Sequence, residues 1–127
     1  MKKIIAILLA LLTFAAHAQN AQSLAGQWRI HQVVSIDGLS KAKLKDAKQA
    51  LESNVILTFN PDGTFKSTAD PKRTVTNWTY KKKTKTILLT GKSQRLKIKV
   101  LKFKQTSMRV KMQLSKSILG EFVLVKE

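Results

Sequence analysis

The chain has 127 residues, of which 24 are Lys or Arg and 7 are Asp or Glu, giving a net charge of +17, and it contains no cysteine. The missing thiols exclude disulfides, thiolate nucleophiles and thiolate metal sites together. The length admits one domain with a single core and not two, and the positive excess favours association with polyanions without naming one.

Met1-Lys2-Lys3 is a positive start, and Ile4 to Ala16 is an almost unbroken apolar run, too short for a comfortable membrane span. Ala16-His17-Ala18 then places small residues where a signal peptidase reads. This layout predicts a secretory signal peptide over residues 1–18 and a mature domain over 19–127. With no cysteine after the run, lipoprotein attachment is excluded. The expectation is an exported protein, periplasmic or secreted, with no transmembrane segment in its mature chain. Removal of the leader leaves 109 residues with a net charge of +15.

The mature chain reads as short strands separated by turn chemistry. Gln19 to Ser23 is polar and predicts a frayed start. Leu24 to Val34, with Trp28, Ile30 and the Val33-Val34 pair, predicts the first strand, which Asp37-Gly38 ends. Ser40 to Ser53 is the one helical pattern: Leu44, Ala47 and Leu51 share a face, while Lys41, Lys43, Lys45 and Lys48 occupy the rest. Ser40 is the expected N-cap and Asn54 the exit. The apolar face is narrow and partly alanine, which favours packing on a sheet over lying on a membrane.

Val55 to Phe59 and Thr64 to Thr68 flank Asn60-Pro61-Asp62-Gly63, a strong hairpin signal. Asp70-Pro71 makes a loop, and Thr74 to Tyr80 predicts a strand with Thr76, Trp78 and Tyr80 on one face. Lys81-Lys82-Lys83 turns the chain into a strand over Thr86 to Thr90, and Gly91-Lys92-Ser93 turns it again. Leu96, Ile98 and Val100 alternate with Lys97 and Lys99. At Val100-Leu101 the phase slips, and Leu101 and Phe103 continue on the other parity, which predicts a β-bulge. Met108, Val110, Met112 and Leu114 alternate with Arg109, Lys111 and Gln113, and Ser115 to Gly120 connects to a last strand over Glu121 to Val125. Eight strands joined mostly by short turns predict an all-β fold. The specific expectation is an eight-stranded antiparallel up-and-down barrel with one short helix after the first strand; a two-sheet sandwich is the alternative.

Leu24-Ala25-Gly26-Gln27-Trp28 resembles the opening of lipocalin-like proteins, whose first strand carries a Gly-x-Trp motif. The run Leu57-Thr58-Phe59-Asn60-Pro61-Asp62-Gly63-Thr64-Phe65, followed by a strand with Trp78, is similar to the small lipocalin-like domains of bacterial exported proteins. The resemblance implies a calycin-type barrel in which Gly26 permits close approach at the closed end and Trp28 plugs it. In larger lipocalins an arginine from the far end of the chain stacks on that tryptophan. The last predicted strand here has no arginine.

Catalytic chemistry is poorly supplied, and the expectation is a binding protein rather than an enzyme. The mature chain has one histidine, His31, which alternation from Trp28 and Ile30 points outward. One imidazole and seven scattered acids do not suggest a metal site, no Gly-rich loop suggests a phosphate cofactor, and Asp37, Asp62 and Asp70 sit where turns use short acids for backbone reasons. The expected inward-facing set is Trp28, Ile30, Phe59, Phe65, Trp78, Tyr80, Leu96, Ile98, Val110, Met112 and Phe122.

Two readings follow. In the first, the exported barrel holds a small hydrophobic molecule against Phe59, Phe65, Trp78, Tyr80, Ile98, Val110 and Met112, with Met108 and Met112 adapting to its shape. In the second, a filled barrel presents a basic outer surface, Lys97, Lys99, Arg109 and Lys111, to an anionic partner such as lipopolysaccharide, anionic lipid or an acidic protein. Nucleic acid fits less well, because no exposed aromatics interleave with these lysines as stacking platforms.

Overall fold

In the computed structural model, residues 21–127 are described, so the predicted leader lies outside the described residues. Eight antiparallel strands follow one another as a meander: β1 (Gly26–Ile36), β2 (Ile56–Phe59), β3 (Phe65–Ser67), β4 (Asn77–Lys81), β5 (Thr86–Thr90), β6 (Arg95–Lys104), β7 (Ser107–Gln113) and β8 (Leu119–Lys126). One helical turn, α1 (Ala21–Leu24), precedes them, and a helix, α2 (Lys41–Leu51), follows β1. The spatial order is β3-β2-β1-β8-β7-β6-β5-β4, so the first and last strands pair. The two ends of the sheet meet through a bridge between Thr64 and Asn77, with Phe65 N–H donating to the Thr76 carbonyl at 2.8 Å and Trp78 N–H to that of Gly63 at 2.9 Å. The barrel is nearly closed, which removes most of the edge along which another chain could pair.

The expected hairpin forms as read. Gly63 has φ +93°, and Asp62 locks the turn by accepting from the backbone N–H and the hydroxyl of Thr64. Helix α2 is capped by the Ser40 hydroxyl, which accepts from Lys43 N–H. It ends at Leu51, earlier than the periodicity suggests, because Ser53 takes φ +65° and its N–H donates to the Ile30 carbonyl at 2.7 Å. The Asn54 side chain closes the exit by donating to the carbonyls of Gln49 and Ala50. Beyond the reach of β2, Glu52 Oε2 accepts from Val33 N–H at 2.9 Å and so ties the helix to β1.

Other boundaries differ from the sequence reading for local reasons. Residues Ala21–Leu24 form a helical turn rather than a frayed start, so β1 begins at Gly26. Its register against β8 shifts between Ile30 and Gln32 and again between Val33 and Ser35, which lets Ile30 and Val33, three apart, both face inward. The predicted bulge in β6 falls between Val100 and Lys102. Leu101 is the extra residue and lies 40% exposed, while Phe103 turns back toward the core. Thr76 does not join Trp78 inside. It is exposed, β4 starts at Asn77, and Val75 is buried in its place. Asp70 imposes this path, its Oδ2 accepting from the Thr74 hydroxyl at 2.9 Å and from Val75 N–H at 3.3 Å.

Inside, a continuous apolar core runs the length of the barrel. Phe59 sits between Phe65 and Trp78, with ring centroids 5.1 and 5.3 Å away, and Trp28 meets Phe103 at 6.2 Å. Each such aromatic pair contributes about 1 kcal/mol beyond the area it buries.

Candidate functional site

The two ends of the barrel differ. At one end Trp28 is fully buried, and its indole N–H donates to the Leu24 carbonyl at 2.8 Å. The turn α1 thus holds the plug from outside. Lys126 reaches over the same ring with its Nζ 5.5 Å from the centroid and donates to the Ser23 carbonyl. A Cβ on Gly26 would stand 3.0 Å from Lys126 Cε, so the glycine makes room for this stem. Arg29 closes the rim by pairing with Glu127 and donating to the Ser53 carbonyl.

The opposite end is open. A cavity of about 240 Å³ lies there, lined by Leu57, Phe65, Val75, Leu89, Leu96 and Met112 together with Leu114 and the polar Asp70, Gln94 and Gln113. Partial burial raises the Asp70 carboxyl, but the hydrogen bonds from Thr74 and Val75 outweigh it and hold the group below its usual range.

Of the predicted ligand-lining residues, the fold brings Phe65 and Met112 to this cavity. Phe59, Ile98 and Val110 are fully buried in the packed interior below it. Trp78 is buried with its indole N–H donating to the Asn60 carbonyl at 2.8 Å, which fastens the hairpin turn to β4. Tyr80 is half-buried, and its hydroxyl is enclosed with no hydrogen-bond partner. Burial pushes that phenol above the ordinary tyrosine range.

The outer wall of β4 to β7 is the second candidate. All seven acids lie outside residues 71–120, a segment that carries fifteen Lys and Arg. The pleat arranges several of these in rows across the strands. Lys81 pairs with Thr86, Thr86 with Lys99, and Lys99 with Lys111, so two exposed lysines stand directly opposite each other. Lys102 likewise faces Arg109. Like charges directly opposite on a sheet destabilise it. Arg109 is compensated by an ion pair with Glu121. Lys97 lines a groove of about 550 Å³ on this wall with Lys81, Thr84, Thr86, Leu88, Arg95 and Gln113, a lining without an acid.

Of the predicted basic surface, Lys97, Lys99 and Lys111 therefore share one outer face, and Arg109 lies beside them but is already paired. Arg95 and Lys81 join this face beyond the four residues the sequence points to. Extending the alternation of Lys97 and Lys99 back two residues places Arg95 on the same face. Lys81 belongs to the Lys81-Lys82-Lys83 run that reads as a turn, yet it is the last residue of β4. Gln113 borders both the groove and the mouth, its amide accepting from Lys97 N–H at 3.1 Å and donating to the Lys116 carbonyl at 3.2 Å.

His31 is exposed, and among the described residues no three His, Asp or Glu side chains gather as metal ligands. Among the same residues no helix is long and apolar enough to cross a membrane. In comparisons with known proteins, no family model, curated protein or solved structure matches the chain.

Proposed function

We propose that this is an exported, lipocalin-like binding protein that engages an anionic partner through the basic outer wall of β4 to β7. The observation that carries the reading is the Lys99–Lys111 pair. Two lysines opposite each other cost stability; Glu121, which stands across from Lys111 on β8, is already engaged by Arg109, and the pair borders a groove lined with further cations and no acid. A surface that keeps such repulsion is suited to a ligand that relieves it. For an exported protein, anionic lipid and lipopolysaccharide are the polyanions of the cell envelope that fit this chemistry.

The test uses a labelled polyphosphate chain as probe, followed by fluorescence anisotropy over a series of salt concentrations. Binding should weaken steeply with salt, because exposed charges are screened over about 10 Å at 0.1 M. The triple variant Lys97→Glu, Lys99→Glu, Lys111→Glu should bind at least tenfold more weakly. Lys41→Glu with Lys43→Glu on α2 changes net charge away from the wall and should have a small effect. Equal losses in both variants would mean that net charge alone attracts the probe, and the wall would lose its assigned role.

A second reading is supported by the mouth cavity. Its apolar lining and open position suit a small hydrophobic group, and about 240 Å³ is below the roughly 300 Å³ of typical drug-sized sites. A single ring or a short acyl segment is the appropriate size. Met112→Trp should fill the cavity and abolish uptake of such a molecule, as read by native mass spectrometry. Unchanged uptake would place the ligand elsewhere.

A further inference from the structure

Four of the large apolar side chains that stand exposed among the described residues belong to the open end. They are Leu39, Leu114, Ile118 and Leu119, each between 37% and 42% exposed. The backbone holds them together: Leu114 N–H donates to the Ile118 carbonyl at 2.8 Å, and Asp37 N–H donates to the Leu119 carbonyl at 2.9 Å, two residues before Leu39. Leu114 also lines the mouth cavity, so the exposed cluster adjoins the rim through this one residue. Lys116 lies within the Leu114–Ile118 turn, Lys41 and Lys43 begin α2 just after Leu39, and Lys92 lies in the β5–β6 turn at the same end. The acids on or beside these elements are Asp37, Asp46, Glu52 and Glu121, with Asp70 in the cavity lining; Glu52 accepts from Val33 N–H, Glu121 pairs with Arg109, and Asp70 is held by Thr74 and Val75.

We propose that the open end docks on an anionic lipid bilayer, with Leu114, Ile118 and Leu119 entering the interface and the surrounding lysines meeting the headgroups. The inference rests on the anionic-partner reading and names the partner's class. Two features favour a bilayer over the other occupants. Gln113 borders both the basic groove and the mouth, so cationic wall and apolar rim adjoin, and a lipid surface offers anionic and apolar layers side by side. A second copy of the chain would bring another strongly positive surface against this one, since only seven acids offset its Lys and Arg residues.

The purified protein is to be sedimented with vesicles of phosphatidylcholine alone and with vesicles containing equal phosphatidylglycerol and phosphatidylcholine. It should bind the second and not the first. Ile118→Ser with Leu119→Ser should weaken vesicle binding at least tenfold while leaving polyphosphate binding unchanged, and a wild-type circular dichroism spectrum with a cooperative urea transition shows that the variant is folded. Ile118→Trp should shift its emission to the blue on anionic vesicles. Wild-type protein that binds polyphosphate but not vesicles overturns the bilayer proposal and leaves the basic wall standing. So does a serine variant that binds vesicles as tightly as wild type, or a tryptophan variant with no shift, because the wall alone would then hold the headgroups. Wild-type dimers that the serine variant dissolves would assign the rim to a second copy. Failure to bind either probe overturns both readings.

Discussion

Lys126 places its ammonium group 5.5 Å from the centroid of the Trp28 ring, at the closed end of the barrel. In larger lipocalins, which the first strand resembles, an arginine from the far end of the chain stacks on the tryptophan of this motif, and the last strand here has none. Strand β8 extends one residue beyond Val125, and it is this last residue, Lys126, that lies over the ring. Its stem lies against Gly26, and its charge sits over the ring face, where the aromatic quadrupole is negative. Lys126→Ala should lower stability by about 1 kcal/mol, and Lys126→Arg should retain most of the wild-type value. Urea denaturation followed by tryptophan fluorescence distinguishes these. An alanine variant as stable as wild type would reduce the contact to a coincidence of packing.

Gly91 is required by space rather than by φ. A Cβ there would lie 1.8 Å from the Thr74 carbonyl oxygen and 3.1 Å from Val75 Cα. Gly91→Ala must therefore displace the backbone beside the barrel mouth, at a cost of about 1–3 kcal/mol or more. Gly38→Ala meets nothing within 4 Å and suffers only the strain of φ +81°, so about 1–2 kcal/mol is expected. The two should also differ in kind: only Gly91→Ala should expose Val75 and disturb Asp70, visible as amide shifts across residues 70–76.

The Tyr80 hydroxyl is enclosed without a partner, a burden of about 1–3 kcal/mol for a buried polar group. Tyr80→Phe should consequently raise the denaturation midpoint or leave it unchanged. A loss above about 1 kcal/mol would show that the hydroxyl has a partner in solution.

Asp70 gives the loop a pH dependence of known sign. Its folded carboxyl titrates below the ordinary aspartate range despite partial burial, because Thr74 and Val75 hydrogen-bond the ionised form. The folded state thus binds fewer protons than the unfolded state in this range, so the stabilisation is present above the unfolded carboxyl's pKa and disappears as pH falls through the lower folded one. Asp62 adds a second contribution of the same sign through Thr64. Carboxyl titration by NMR should place both groups below their ordinary values. Asp70→Asn should flatten part of the loss of stability on acidification below the ordinary aspartate range.

The Lys99–Lys111 pair makes function and stability oppose each other. Lys99→Glu converts a repulsive cross-strand pair into an attractive one and should stabilise the fold by about 0.2–1 kcal/mol. The same substitution should weaken polyphosphate binding. A variant that is both more stable and binds as tightly as wild type would remove the argument for this pair as part of the binding wall.

Much of the architecture is legible in the residues. Asn60-Pro61-Asp62-Gly63 encodes its own turn, Ser40 its own cap, and the phase slip after Val100 its own bulge, since each depends on neighbours within a few positions. The candidate sites are less legible. Alternation places Phe59, Ile98 and Val110 inside together with Phe65 and Met112, but it cannot say that the first three meet close-packed neighbours while the other two border a cavity. That difference depends on how far along the barrel axis each residue lies.

The sequence by itself determined the strand count, the antiparallel meander, the helix after β1 and the inward and outward faces of most strands, though not at Thr76, whose inward place Val75 takes. Those features follow from hydrophobic period and turn chemistry, which act locally. The tertiary structure alone decided that Lys126 covers Trp28 and that β3 and β4 meet at Thr64 and Asn77. It also set Lys99 against Lys111 and joined the basic groove to the apolar mouth at Gln113. Each of these is a pairing between distant segments, and its partner is set by register and barrel closure, where a shift of one residue exchanges the faces.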